Sequence, residues 1–519
     1  MPFAAVSSVV LPGRRRPVYL SATLLPLLLL VAWTAAVRWP FFEWSDKDEF
    51  FFSVIGSEWL KGGLPYVATF DIKPPGLFLI FALVQSVFGA SLATVKGMEI
   101  AAVALGAFGL FRLLSIHGSK RAAVWAAALF PIYTLTFGGT TAVNMLLLSP
   151  FVIAAFAAAM NALDGDAPPA SRLRGALLAG LAIGAAGMIR QTAIFEAGAI
   201  FLALLLWGER ARLAQLVTLY VAGAAVPTVA FAAYFLAAGH FHEMFEAVIV
   251  LAQQRNSDDV LQLYGPALAF YVTIPGALVN TVLSAAPTIF LWGAVLFLVL
   301  RLRLVRQSFP GRVLALAAIW LAAAIAGVVA SRNLNGYDLM PSIPPLLMLS
   351  GALIGHGLDV APRRASLAAV ITAVVAVASL AFIGRDGLFA PGRFGAGDHA
   401  ATHKLSETIR SLSSGRDDRL LVINRGLAVF TETGLFPPTP WFHPTQLLGA
   451  VHTSSNDPLG AALDANPRFI VIADPTLWDI TERRSQLDRA LAYVAAHYRV
   501  ATEVDGAKDS FTLYEYAGS

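Results

Sequence analysis

The chain has 519 residues, of which 57% are hydrophobic and only 13% are charged, and its formal net charge is +4. A soluble protein carries about a quarter of its residues as charges, so this composition excludes an ordinary soluble protein and indicates a polytopic membrane protein. The chain lacks cysteine, which excludes disulfides and thiolate metal sites, and no basic-aromatic pattern indicates nucleic-acid binding.

The first apolar run, 18–37, follows the basic segment 14–16. About 20 residues are enough for a helix to cross the hydrocarbon core of a bilayer. The run is about twice as long as the hydrophobic region of a cleaved signal peptide, which is the alternative interpretation. We therefore interpret it as a retained first span that follows a cytoplasmic N-terminus.

Clusters of Lys and Arg predict the topology, because cytoplasmic loops are enriched in these residues. If every cluster is cytoplasmic, an even number of spans must separate each cluster from the next. The clusters lie at 14–16, 112–121, 172–174, 210–212, 301–312 and 363–364. The apolar segments satisfy this condition with predicted spans at 18–37, 92–112, 121–138, 142–162, 174–190, 192–207, 212–238, 284–303, 312–331, 339–356 and 366–383. This is about eleven spans, an odd number, so the C-terminal segment is predicted to lie outside the cytoplasm.

Residues 39–91 then form one long extracytoplasmic loop. Its apolar run 76–89 is short for a span, so we predict a helix that lies in the membrane interface. If this run crossed the membrane instead, which is the alternative, the basic group around Lys120 would fall on the wrong side.

The same loop concentrates charge at the start of a predicted helix, "SDKDEFFFSVIGSEWLKGG" (45–63). Ser45 and Asp48 fit the two positions of a capping box, and carboxylates favour a first helical turn in any protein. Asp48 and Glu49 therefore have a purely structural interpretation. However, adjacent residues lie about 100° apart on a helix, so the two carboxylates cannot serve one partner equally. This favours one of them as a base and its neighbour as an orienting group.

One apolar stripe runs along this helix. Phe51, Ile55 and Trp59 recur every four residues, and the stripe is predicted to lie on the membrane surface. Gly62 and Gly63 are predicted to end the helix.

Residues 385–519 differ in pattern from the rest and predict a small soluble α/β domain. Buried strands are predicted at 419–423 and 468–473, a helix at 484–498, and two further strand-like runs joined by a turn after it. A Gly- and Ala-rich linker, 385–402, separates this domain from the membrane domain, 1–384.

Several motifs together resemble one known family. The "DE" pair, then "LKGGLPY" (60–66), "DIKPPG" (71–76) and "FALVQSVFG" (81–89), is similar to the first periplasmic loop of certain bacterial GT-C membrane glycosyltransferases. These are of the dolichyl-phosphate-mannose–protein mannosyltransferase and lipid A aminoarabinose transferase type (family 39/83-like). "GALLAGLAIGAAGMIRQTA" (175–193) and "RNLNGYDLMPSIPPLLML" (332–349) resemble two of the family's spans.

The resemblance implies an all-α polytopic GT-C domain of about 11–13 transmembrane helices in the bacterial inner membrane, surrounded by membrane lipids, with a small periplasmic α/β domain. It implies an inverting glycosyltransferase that moves a monosaccharide from a polyprenyl-phosphate carrier to a hydroxyl of an acceptor on the periplasmic side. Lipid A, another glycolipid, a polysaccharide and a protein are all compatible acceptors.

The resemblance also implies roles for residues of the first loop and of a later span. Asp48 is the predicted base, with Glu49 alongside it, since a positioned carboxylate can accept the proton of an acceptor hydroxyl. Lys73 and Arg190 are predicted to bind the lipid phosphate, whose negative charge grows as it leaves. Alternatively, Arg190 only snorkels at a helix end or pairs with Glu196.

Four more residues are candidates for substrate binding: Asn144, Gln191, Tyr337 and Arg332. Many relatives carry a second acidic residue where this chain has Asn144 with no carboxylate nearby. Asn can hydrogen-bond a sugar hydroxyl but cannot usefully accept a proton, which weakens any mechanism with two catalytic carboxylates. For Tyr337, anchoring at the membrane interface is the plain alternative.

No cofactor is predicted, and a divalent metal is compatible with the sequence without being indicated by it. His240, His242 and Glu243 form the strongest metal candidate, but residues i and i+2 point apart on a helix, so no metal site is predicted. Two other functions remain open: a transporter or flippase of lipid-linked saccharides, and a catalytically silent GT-C relative. Spans that are nearly charge-free disfavour transport.

Overall fold

The computed structural model describes residues 20–43, 47–255, 293, 310–331, 336–388, 396–415, 417–447, 453–473, 481–506 and 510–518. A polytopic helical membrane domain is followed by a small α/β domain. Within the described residues, six helices are long and apolar enough to cross a membrane: Leu24–Phe41, Leu92–His117, Asn144–Leu163, Arg210–Ala237, Gly311–Ser331 and Asp338–Val360.

The helices follow the predicted spans closely. The first nine are α1 (Leu20–Arg38), α2 (Lys47–Leu60), α3 (Pro75–Phe88), α4 (Leu92–His117), α5 (Lys120–Thr136), α6 (Asn144–Leu163), α7 (Pro169–Gly187), α8 (Ala193–Trp207) and α9 (Leu213–Ala237). Next come α10 (Phe241–Phe245), a π-helix (Glu246–Leu251), α11 (Ala252–Arg255), α12 (Gly311–Ser331), a 3₁₀ helix (Gly336–Ser342), α13 (Ile343–Val360) and α14 (Pro362–Leu388). Every other predicted span coincides with a helix where its residues are described, and the predicted span 284–303 lies outside the described residues except for residue 293.

Small residues bring α7 and α9 into close contact. A Cβ atom on Gly180 would overlap the backbone of α9 at Tyr220, and one on Gly184 would overlap it at Ala224. Membrane helices approach this closely where small residues recur every four positions. The contact fixes α7, whose last residue lies only three positions before Arg190.

The connecting segments meet in two groups at opposite ends of the helices. In the first group, Gln191 donates hydrogen bonds to the carbonyl oxygens of Ile72 and Val248, at 2.9 and 3.1 Å. These bonds join the first loop to the turn after α7 and to the π-helix after α9. The second group, at the opposite ends of the helices, holds the ion pairs Arg121–Asp359 and Arg172–Glu209.

Helix α3 is buried over most of its first half and exposed at its C-terminal end. Leu77, Phe78 and Phe81 are fully buried, whereas Val87 and Phe88 are exposed. A helix of 14 residues is about 21 Å long, shorter than the roughly 30 Å hydrocarbon core. The helix is therefore short for a membrane span, and its placement in the membrane interface stays a prediction.

The apolar stripe of α2 does not face the membrane as predicted. Phe51 and Ile55 are only 2% and 1% exposed, and the ring of Phe51 lies 4.6 Å from that of Phe442 in the C-terminal domain. Trp59 is half-buried, and its indole N–H donates to the hydroxyl of Tyr234. The prediction is wrong because protein, including the C-terminal domain, covers this face.

The C-terminal domain contains a four-stranded sheet in the order β1-β2-β4-β3. Its strands are β1 (Leu420–Ile423), β2 (Phe469–Ala473), β3 (Tyr498–Asp505) and β4 (Ser510–Tyr516). β1 and β2 are parallel, and the other neighbours are antiparallel. The predicted strands are confirmed.

Among the residues of this domain that the structure describes, five helices accompany the sheet: α15 (Ala396–Leu412), α16 (Ala428–Thr433), α17 (Pro444–Leu447), α18 (Pro458–Asp464) and α19 (Thr481–His497). The predicted linker 385–402 is too long, because α14 extends to Leu388 and α15 begins at Ala396.

Candidate active site

Asp48 lies in the first turn of α2, and its side chain is 35% exposed. Its Oδ1 atom lies 3.1 Å from Nε2 of His443, a buried residue of the C-terminal domain. Sequence analysis did not identify His443. The only local signal is its setting in "TPWFHPTQ" (439–446), where prolines limit the backbone on both sides.

Glu49 has partners different from those of Asp48. It is fully buried, and its Oε2 accepts a hydrogen bond from the backbone N–H of Ala142 at 2.9 Å. The Nζ atom of Lys96 lies 3.7 Å from the same oxygen. Glu49 thus joins α2 to the loop between α5 and α6 and to α4.

A buried network of alternating charges continues from Lys96. Its Nζ lies 3.2 Å from Glu99 Oε2, and Glu99 Oε1 pairs with Arg38 at the end of α1. Each of these side chains is at most 3% exposed. Arg38 and Lys96 also donate to the carbonyl oxygens of the loop between α5 and α6. The expectation of nearly charge-free spans is therefore wrong at this end of α1 and α4.

Several contacts fix the backbone around Lys73. The hydroxyl of Tyr66 donates to the carbonyl oxygen of Lys73 at 2.7 Å. Tyr66 has φ of 71°, a strained value for an aromatic residue. Burial, and then the nearby Asp71 carboxylate, raise the pKa of Tyr66 well above its usual value, so its hydroxyl remains a donor. Downstream, Gly76 allows close approach to the backbone of Met188, because a Cβ there would lie 2.6 Å from the Met188 oxygen.

Lys73, Arg190 and Gln191 line one cavity of about 190 Å³. The other lining residues are Ile72, Thr192, Val248, Ile249, Ala252, Gln253 and Ser331. Two cationic side chains from separate segments of the chain, Lys73 and Arg190, thus border the same cavity. Asp48 is not among the described residues that line it.

Arg190 forms a buried ion pair. Its Nη2 lies 2.9 Å from Oδ1 of the fully buried Asp338, and its Nε donates to the hydroxyl of Thr192. Glu196, the alternative partner in the sequence analysis, lines the adjoining space together with Arg190 and Asp338. The carboxylate in hydrogen-bond contact with Arg190 is therefore that of Asp338.

Of the remaining candidates, the structure describes Asn144 in full and Tyr337 only in its backbone. Asn144 is buried and begins α6, next to Met145, which lines the space beside Arg190. Tyr337 lies in the 3₁₀ helix Gly336–Ser342. Arg332 and the side chain of Tyr337 lie outside what the structure describes.

In the described part of the chain, no group of three or more His, Asp or Glu side chains is arranged to hold a metal ion. His240 lies 3.2 Å from Glu243, and His242 lies 3.9 Å from Glu246. The two histidines thus have separate carboxylate partners.

Comparisons of sequence and of structure give different results. No protein-family model and no curated protein matches the sequence. Among solved structures, ArnT from Cupriavidus metallidurans in the apo state is 15% identical, with a TM-score of 0.62 over 95% of this chain and 98% of that chain. ArnT bound to undecaprenyl phosphate is 16% identical, with a TM-score of 0.59 over 94% and 97%.

The oligosaccharyltransferase of Archaeoglobus fulgidus in the apo form is also similar. It is 14% identical, with a TM-score of 0.57 over 94% of this chain and 80% of that chain. Identities this low show a shared fold and nothing more specific.

Proposed function

Because the chain has the GT-C fold of membrane glycosyltransferases, we propose that it is an inverting glycosyltransferase. It takes a monosaccharide from a polyprenyl-phosphate carrier and transfers it to an acceptor hydroxyl. We propose that it does so at the periplasmic face of the bacterial inner membrane, with a cytoplasmic N-terminus.

One observation carries the proposal: the first loop holds a partly exposed carboxylate and a cation that borders a cavity. His443 contacts Asp48, and Gln446, three residues later, donates to the carbonyl oxygen of Phe70 at 3.0 Å. The segment 443–446 therefore contacts both Asp48 and the part of the first loop that precedes Lys73. The capture of undecaprenyl phosphate by ArnT supports a carrier of the same chemical class.

The proposed reaction is a single displacement at the anomeric carbon. The acceptor oxygen forms a bond to C1, and the bond between C1 and the phosphate oxygen breaks with its electron pair. Asp48 takes the acceptor proton, and the phosphate leaves with one more negative charge. Lys73 and Arg190 stabilise that charge, because fixed cations act most strongly where charge develops.

The pairing of Arg190 with Asp338 refines the role of this arginine. The carboxylate neutralises part of the charge of Arg190, so Arg190 contributes directed N–H donors to the phosphate more than net positive charge. The cavity, of about 190 Å³, is large enough to admit a phosphate group.

The transporter alternative places ionisable groups along a path through the membrane. The buried charges of α1 and α4 do not support such a path, because they are paired with one another and with loop carbonyls. The catalytically silent alternative rests on the missing second carboxylate at Asn144.

The proposed function is tested with purified protein in liposomes that contain polyprenyl-phosphate sugars. Mass spectrometry should detect loss of sugar from the carrier and its appearance on an acceptor. Carrier movement across the bilayer without transfer would favour the transporter, and neither activity with any donor would favour the silent relative. Comparison of glycolipids and glycoproteins before and after deletion would identify the acceptor.

We expect Lys73→Ala to raise the Kd for the polyprenyl-phosphate sugar by roughly 10-fold to 100-fold, because it removes a charge-assisted contact worth about 1.5–3 kcal/mol. Donor titration followed by quenching of tryptophan fluorescence measures the change. Lys61→Ala is the matched control, since Lys61 is an exposed lysine of the same loop that lies over the ring of Phe436. Equal effects of the two substitutions would refute the role of Lys73.

We expect Arg190→Ala to weaken donor binding and also to lower the unfolding temperature, because it leaves Asp338 buried without its ion-pair partner. Arg190→Lys retains a charge and should lose less stability than Arg190→Ala. Donor titration and thermal unfolding in detergent separate the two effects. A loss of stability with unchanged donor affinity would assign Arg190 a structural role only.

A further inference from the structure

His443 connects the C-terminal domain to the carboxylate of Asp48. The two residues are 395 positions apart in the sequence, yet Nε2 of His443 lies 3.1 Å from Oδ1 of Asp48. His443 is 7% exposed, so its ring is almost wholly enclosed by protein. The contact therefore places a side chain of the soluble domain directly on the proposed base.

The hydrogen bonds of the other ring nitrogen fix the tautomer of His443. Its Nδ1 atom lies 3.2 Å from the backbone nitrogen of Thr445 and 2.6 Å from the Thr445 hydroxyl. A backbone N–H can only donate, so Nδ1 must accept and carries no proton. In the neutral ring the proton is then on Nε2. His443 thus donates a hydrogen bond to the Asp48 carboxylate.

The local sequence holds His443 in this orientation. His443 immediately precedes the short helix α17, and Pro444 restricts its backbone to extended conformations. The Gln446 side chain accepts from the backbone N–H of His443 at 3.2 Å, while the ring accepts from the Thr445 N–H. This exchange has the form of a capping box in which His replaces the usual Ser or Thr. The ring direction is therefore set by its own segment, before it meets Asp48.

Aromatic rings enclose the imidazole. The ring of Phe51 meets that of His443 edge-on, with centroids 4.8 Å apart at 76°. Phe51 also contacts Phe442, which in turn contacts Phe430 at 5.6 Å. Such packing limits rotation of the imidazole and excludes water from its faces, which strengthens the bond to the carboxylate.

We propose that His443 is a positioning residue, through which the C-terminal domain completes the active site; this inference rests on the proposed function. The terminal torsion of an Asp side chain has a broad energy minimum, so an unsupported carboxylate rotates easily. A donor held on one oxygen fixes the carboxylate plane, and the exposed third of the side chain remains accessible to an acceptor hydroxyl. Without this donor, fewer encounters have the geometry for proton transfer.

A purely structural role for His443, holding the domain on α2, makes a different prediction. The hydroxyl of Thr431 in α16 lies 3.2 Å from that of Ser53 in α2, so this pair also joins the same domain to the same helix. Thr431→Ala therefore removes a domain contact of similar length that does not involve Asp48, and it serves as the matched control.

The test compares His443→Phe, His443→Gln and Thr431→Ala in the full-length protein. We expect His443→Phe to lower kcat about 100-fold with little change in the KM for the donor, as misplacement of a reacting group by about 1 Å does. The amide nitrogen of Gln reaches the position of Nε2, so His443→Gln should retain kcat within about five-fold of the wild type. Thr431→Ala should behave like the wild type. Equal loss in His443→Phe and Thr431→Ala, or failure of Gln to rescue, would overturn the inference.

A double-mutant cycle identifies Asp48 as the group through which His443 acts. In an Asp48→Asn background, His443→Phe should cause no further loss of kcat, because the orientation of an absent base has no effect. Independent, additive losses would contradict the inference even where transfer itself is confirmed.

A measurement without turnover separates this inference from the proposed function. If the wild-type protein transfers no sugar from any donor, the proposed function fails, but the contact is still testable by infrared spectroscopy. The carboxylate band of Asp48 is the one lost in Asp48→Asn. His443→Phe should shift this band and Thr431→Ala should leave it unchanged, whereas an unchanged band in His443→Phe would overturn the inference.

Discussion

Replacement of Asp48 by Asn is expected to lower the rate of sugar transfer by roughly 10²-fold to 10⁴-fold, the usual contribution of a positioned general base. Asn has nearly the same shape as Asp, and its carbonyl oxygen can still accept the hydrogen bond from His443. It cannot accept a proton from the acceptor hydroxyl at neutral pH. The substitution thus removes the proposed chemistry while it preserves the contact with the C-terminal domain.

Single-turnover rates with a polyprenyl-phosphate sugar measure the effect, and donor titration checks that binding is retained. Glu58→Gln is the matched control, since Glu58 is a half-buried acid near the other end of the same helix. Full activity in Asp48→Asn would contradict the assignment of the base. An equal loss of rate in Glu58→Gln would show that the transfer rate depends on the total charge of α2 and not on a carboxylate at position 48.

Physical constraints explain why the sequence predicted the membrane domain well. The bilayer requires long apolar runs, and the positive-inside rule then groups their ends, so local composition carries most of the information. The two groups of connecting segments, one joined through Gln191 and the other through Arg121–Asp359, agree with that grouping. The strands of the C-terminal domain were also predictable, because β1 and β2 are short, continuously apolar and fully buried.

The contact between His443 and Asp48 could not be predicted, because no local pattern encodes which surface a distant domain covers. The stripe of Phe51 and Ile55 illustrates the difficulty. An apolar helix face of this kind suits lipid and protein equally well, and only the position of Phe442 decides between them. The segment His-Pro-Thr-Gln (443–446) does not by itself show that the second ring nitrogen of His443 contacts Asp48.

Charge pairing in the membrane domain was partly predictable. Lys96 and Glu99 lie three residues apart on one helix, a spacing at which opposite charges meet. Their further partners, Arg38 and Glu49, come from other elements and follow only from the fold. The same holds for Arg190 and Asp338, which are 148 residues apart and meet only in the folded chain.

The buried ion network that contains Glu49 contributes to the stability of the fold and also holds the start of α2, where Asp48 lies. Glu49 and Lys96 tie the start of α2, and hence Asp48, to α4 and to the loop between α5 and α6. A buried ion network offsets its desolvation cost only when every charge has a partner. Loss of one carboxylate therefore affects more than one contact.

Replacement of Glu99 by Gln is expected to cost about 3–5 kcal/mol in the free energy of unfolding, the usual cost of breaking a buried pair. Glu99 lies between Arg38 and Lys96, so its removal leaves two buried cations with only Glu49 as a carboxylate partner within this network. Thermal unfolding in detergent measures the change, with Glu503→Gln on the exposed face of β3 as control. Because Glu99 contacts neither Asp48 nor the cavity at Lys73, the folded fraction should retain its kcat. An unchanged unfolding temperature would mean that the network does not hold the site together, and a selective loss of kcat would give Glu99 a role in the reaction itself.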